Sequence, residues 1–289
     1  MIARKARLWL GLGAFVMVAH ALGLAAASAT TIAAQGTAQQ VAQNTETPPS
    51  DCAEESACVS GTAGEEGEGG QAKAAADLVT DDLAYLHQLG ILRGQLEVGM
   101  DLYRRGDTAA AREHMEYPAD ELYADLRPAL EARHAPDLSQ LVQQLATSVR
   151  QDSPSAQVEA DYAAMADGLD QAERAAAGAS QPLVVLGAIQ RLVKSAAVEY
   201  GEAVMDGQVV KPREYQDSLG FVRVAKAMLA RLGGAEDANQ EVVVKVEQAL
   251  SGLDPAWPDI EPPDHVVTDP NLLYGAAAKI ETVLLAVKS

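Results

Sequence analysis

The chain has 289 residues, 48% of them apolar and only 4% aromatic, with 41 acidic against 22 basic residues and a formal net charge of −19. A surface this acidic repels phosphate backbones and anionic headgroups, which excludes nucleic acid and anionic lipid as partners. It also concentrates cations near the surface.

The first 29 residues run from a basic start (Arg4, Lys5, Arg7) through a Gly/Ala-rich apolar segment to Ala27-Ser28-Ala29, a small-x-small cleavage site. This is the pattern of a secretory signal peptide cut after Ala29, and it fits better than an uncleaved anchor. Cleavage takes three positive charges from −19 and leaves −22 on the mature chain. No lipobox cysteine follows, and no later stretch is long and apolar enough to span a bilayer, so a soluble periplasmic or secreted protein without membrane insertion is expected.

Residues 30–78 are rich in Ala, Gln, Thr, Gly and Glu, with almost nothing large and apolar to bury, and are expected to form a disordered acidic tether. Cys52 and Cys58, the only cysteines, lie in it as "DCAEESAC". In an oxidising compartment the pair reads most simply as a local disulfide, with a redox or metal role as the alternative, and the spacing does not fit haem attachment.

The remaining residues, 79–289, are enough for one or two domains with a real core. The pattern is helical, dominated by Ala, Leu, Glu and Gln, and predicts helices at about 79–104, 107–117, 118–133, 136–150, 155–177, 182–206, 212–233, 237–251 and 270–288. Gly106-Asp107, Pro136, Pro154, Pro182, Gly207, Pro212, Gly233-Gly234 and "DPAWPDIEPPDH" are the stops. The expected fold class is all-α, an up-and-down bundle of about eight or nine helices. Two similar halves, 79–150 and 155–289, are a further expectation, with a duplication pairing His114 and Glu121 with Glu214 and Asp217.

The first helix is apolar on two sides. Leu86, Leu89, Leu92, Leu96, Met100 and Tyr103 fall in one sector and Leu83, His87, Ile91, Gly94, Val98 and Leu102 in another, which predicts a central helix. Gly90 and Gly94 would admit a close partner helix or leave room for a ligand. Glu97 and Asp101 lie along the flank of His87. On the next helix Ala110, Ala111, His114, Pro118, Glu121 and Asp125 share a face, so His114 is expected to meet another helix.

His87, Glu97, Asp101, His114 and Glu121 are therefore the candidate ligands for a transition metal, iron or copper, since imidazole and carboxylate oxygens suit such ions and bundles build sites from facing helices. The competing account is structural, because no tight pair such as H-E-x-x-H is present and an interfacial histidine is commonly a hydrogen-bonded one. His134 is expected to cap a helix end and His265 to be solvated. No nucleophile elbow, no cysteine in the folded part and no phosphate loop is present, so no enzyme is expected.

"LYRRGDTAAAREHMEYPADELYADLRPALEAR" at 102–133 resembles the helical periplasmic domain that accompanies bacterial high-affinity iron permeases. "EYGEAVMDGQVVKPREYQDSLGFVRVAKAML" at 199–229, with its "DGxVxxxxEYQDxxGF" core, is similar to the other half of such domains. The permease's membrane span and R-E-G-x-E motif are absent, "LRGQLE" at 92–97 being a poor echo, and so is the G-x-H-x-x-E motif of imelysin-type proteins. The resemblance implies a stand-alone periplasmic bundle presenting metal to a membrane transporter. A structural or interaction module of the cell envelope, without metal, is the alternative.

Overall fold

Helix starts and stops follow local chemistry in the computed structural model, which describes residues 77–117, 123–235 and 239–288. All of them fall within one compact unit, Thr62–Ser289. The helices are α1 Asp82–Arg105, α2 Thr108–Tyr117, α3 Tyr123–Ala132, α4 Ser139–Arg150, α5 Ser155–Ala175, α6 Pro182–Ala203, α7 Pro212–Gly233, α8 Gln240–Ser251 and α9 Asn271–Lys288. The fold is the expected all-α bundle. The expected signal peptide, nearly all of the tether, Cys52, Cys58 and Glu121 lie outside the described residues.

Asp81 caps α1 by accepting from the Leu83 amide, and Gly106 ends it in the left-handed conformation at φ 92°. Prolines open α6 and α7, where the missing amide hydrogen costs no helical bond. The sequence-based helix over 182–206 needs one correction. It stops at Ala203, and the strands β1 Val204–Met205 and β2 Gln208–Val209 pair antiparallel across Asp206-Gly207. Both turn residues have positive φ, 52° and 75°, the combination an Asp-Gly hairpin turn requires.

The element α1 is central, as its two apolar sides predict, and packs against α2, α5, α6 and α7. Leu89, Leu92, Met100, Val98 and Leu102 are all fully buried. Its glycines serve helix approach. A Cβ on Gly90 would meet Leu192 of α6, and Gly94 of α1 lies backbone to backbone against Gly220 of α7. A Cβ on Gly220 would stand 2.4 Å from the Gly94 carbonyl oxygen.

The elements α6, α7, α8 and α9 close a ring of neighbours, each packing on the next and α9 returning to α6. Inside that ring the Tyr200 ring lies 6.0 Å from Tyr215 and 5.6 Å from Trp257. Their polar ends are satisfied: Trp257 Nε1 donates to Ser218 Oγ at 2.9 Å, the Tyr200 hydroxyl to the Ala256 carbonyl at 3.2 Å, and the Tyr215 hydroxyl to the Asp259 carbonyl at 3.0 Å.

Candidate functional site

His114 faces inward, as its helical face predicts, but with both ring nitrogens engaged. Asp107 caps the start of α2, its carboxylate accepting from the Ala110 amide, which aims Ala111, His114 and Met115 at the core. Gly99 of α1 lets α2 close in, since a Cβ there would sit 3.1 Å from His114 Cβ. His114 Nδ1 lies 3.0 Å from Asp217 Oδ1, and Nε2 lies 2.9 Å from Gln216 Oε1. The Gln216 amide nitrogen donates to the Ile260 carbonyl, so its oxygen is the end turned to histidine. Both nitrogens are thus engaged by protein groups on α7. The expected duplication set His114 and Asp217 in matching halves; in the fold His114 contacts Asp217 itself.

The other sequence-stated candidates go to separate partners. His87 Nε2 lies 3.0 Å from Ser195 Oγ, and burial, with help from Arg191, pushes its pKa down to about 4. Glu97 is half-buried; desolvation raises its pKa, against the pull of Arg93, Arg223 and Arg231. Asp101 accepts from Arg223 at 3.1 Å and faces Arg105 at 3.5 Å. Ten residues of helix set His87 and Glu97 about 15 Å apart. Among the described residues, no three or more His, Cys, Asp or Glu side chains converge closely enough to hold a metal ion. The expected five-residue cluster is not assembled among its described members, because a shared flank on one helix does not bring residues three turns apart to one point. His134 is exposed and ends α3 through its backbone at φ 53°, and His265 is exposed as expected.

A different group of carboxylates gathers where α6 runs through the hairpin into α7. Burial pushes the Glu199 carboxyl up to about 7, with the Asp217, Glu202 and Glu214 carboxylates adding to the shift and Arg213 opposing it. Lys211 Nζ lies 2.8 Å from Glu202 and 3.8 Å from Glu214, and Arg213 Nε lies 3.8 Å from Asp217 Oδ2. Glu199 and Glu202 were not singled out from the sequence, although a signal was there. "EYGE" at 199–202 and "EYQD" at 214–217 each set two carboxylates at i and i+3, one helical face apiece, on either side of a tight turn. Oxygen donors held beside exchangeable lysine and arginine partners can gather a cation and release it.

No described helix is long and apolar enough to cross a membrane. No curated protein and no solved structure matches the chain. The permease-like stretch at 102–133 lies outside the segment that the family model matches, whereas the stretch at 199–229 lies within it. Residues 175–288, the segment that carries the α6–α9 ring and the carboxylate-bearing hairpin, match the family model of the iron permease-associated 4-helix bundle domain.

Proposed function

We propose that the protein is exported and, in the periplasm, holds a transition metal ion, iron or copper, as cargo for a membrane metal transporter, without catalysing a reaction. The observation that carries this is the match of residues 175–288 to a domain described by its association with iron permeases. The signal-peptide pattern of the first 29 residues supports export, and the net charge supports a cationic cargo. The holding site is built from Glu199, Glu202, Glu214 and Asp217, which do not converge on one point as they stand and close on the ion as it displaces Lys211. Here the approach of a cation favours loss of the Glu199 proton and competes with Lys211 for Glu202 and Glu214. Weak, exchangeable oxygen ligation suits a carrier that must give its cargo up.

The test is titration of the dialysed full chain with Fe(II), Fe(III), Cu(II) and Zn(II). Stoichiometric binding is expected for iron or copper, weakened at least roughly tenfold in the Glu199→Gln/Glu214→Gln variant with helicity unchanged. Equal binding by the variant would overturn the site. A non-enzymatic interaction module without metal is the second reading, favoured by the exposed apolar side chains Met205, Val210 and Val267 near the hairpin. In that case only weak, salt-sensitive binding is seen.

A further inference from the structure

The hairpin end of the bundle exposes large apolar side chains. Met205 is 61% exposed, Val198, Val210 and Tyr274 more than two-fifths, and Val267 fully. Contacts of their neighbours in the chain bring these segments to one end of the bundle. The Val210 amide donates to the Ala203 carbonyl, the Val266 amide to the Gly207 carbonyl, and the Tyr274 hydroxyl lies 3.4 Å from where a Cβ on Gly201 would stand. Single exposed apolar residues mean little, but this many around one turn mark an interaction surface. Glu199, Glu202, Asp206 and Glu214 lie in the same stretch of chain as Val198, Met205 and Val210, with Lys211 paired to Glu202 and Glu214.

We propose that this end docks on a protein surface presenting apolar side chains within a rim of lysines or arginines. Charge decides among the possible occupants. A second copy would set one carboxylate rim against another, and like charges across an interface are strongly disfavoured. The chain's own residues 30–76 carry seven carboxylates to one lysine, so the tether is repelled as well. Anionic lipid is repelled for the same reason. A cationic protein rim is complementary to the patch. Identifying that partner as a metal transporter rests on the function proposed above, and docking there would seat the cargo carboxylates against it.

The test uses the full mature chain, with chelator present, and the iron permease of the same organism in neutral-lipid nanodiscs. Saturable binding is expected, weakened by added salt and at least roughly tenfold by Met205→Ser/Val267→Ser, both exposed and foldable changes. Val244→Ser, an exposed apolar position on α8, should bind like the unsubstituted chain. Docking is overturned if the unsubstituted chain does not bind the permease, if the tip variant binds equally well, or if empty nanodiscs or anionic vesicles bind as tightly. The two proposals fail separately. A chain that binds iron stoichiometrically but not the permease loses only the docking surface, and one that docks without binding iron keeps it.

Discussion

The α1–α5 and α6–α9 regions are held together by different means. Within the α6–α9 ring the interior is aliphatic and aromatic, centred on Tyr200, Tyr215 and Trp257, and its ties between elements by lysine, Lys211–Glu202 and Lys226–Asp254, are exposed. Around α1–α5, arginines cross between elements. Arg93 of α1 reaches Asp170 and Glu173 of α5 at 2.6 and 2.9 Å, Arg104 of α1 pairs both oxygens of Glu159 in α5, and Arg150 of α4 meets Glu116 of α2. Arg93–Glu173 is largely buried, whereas the exposed pairs contribute little, so α4 depends on its packing against α2 and α5 rather than on its pair with Glu116. Since α1 packs on α6 and α7, the two regions share one interior. The segment that the family model matches carries the α6 and α7 faces on which α1 packs.

The largest expected effect breaks the seam between the regions. Gly220→Ala puts a methyl 2.4 Å from the Gly94 carbonyl oxygen, a backbone atom that moves only if α1 and α7 part. It should cost about 3 kcal/mol by overpacking. Gly275→Ala on α9, with nothing within 4 Å of the added atom, should be neutral or stabilise by about 0.5–1 kcal/mol through helix propensity. Urea denaturation of both variants checks the contrast; equal midpoints would mean that the close helix crossing contributes nothing.

Among the other contacts between the regions is that of His114 with Asp217 and Gln216. His114→Ala leaves a cavity, a buried carboxylate without its histidine donor and an amide oxygen unpaired, at a cost of about 1–3 kcal/mol. Iron titration should be unchanged, since both ring nitrogens are already engaged by protein groups. Loss of metal binding at full stability would return His114 to the ligand set.

Much of the fold was legible because its punctuation is local. Pro182, Pro212 and Gly106 mark helix ends within a residue or two of the observed ones, and the two-sided pattern of α1 fixes its central place. The Asp206-Gly207 hairpin was also legible from its turn residues but was overridden by the helical pattern around it. The site was harder. A helical wheel gives the face on which His114 lies, and with it burial, yet says nothing of which acceptors stand opposite. His87, Glu97 and Asp101 share a flank, but each was claimed by other partners: His87 by Ser195 of α6, Glu97 by Arg223 and Arg231 of α7 with Arg93 of α1 itself, and Asp101 by Arg223 of α7 with Arg105 of α1. Glu199 meets Glu214 and Asp217 only because the hairpin folds α6 back on α7, a tertiary fact that spacing within either helix does not contain.

The smallest effect is a pH dependence with opposite signs at the two histidine- and carboxylate-bearing places. Glu199 is raised in the folded chain from 4.5 to about 7, so folding favours its protonated form. The stability it lends is present below the unfolded value and is lost as pH rises through about 7, where the ionised group sits half-buried among other carboxylates. His87 is lowered from 6.5 to about 4, so folding favours its neutral form. Its contribution is present above 6.5 and is lost as pH falls toward 4, because the unfolded chain then binds a proton that the folded chain refuses. The two windows overlap between about pH 4 and about pH 7 with opposite slopes, so the contributions offset one another and substitution separates them. Glu199→Gln removes the falling contribution, so its urea midpoints should rise more steeply with pH through this window than those of the unsubstituted chain. Solvent screens a half-exposed carboxylate, so the difference is small. Parallel profiles for the two chains across that window would show that the carboxylates at the hairpin do not share charge as their positions require, and would remove the electrostatic basis for a cation site there.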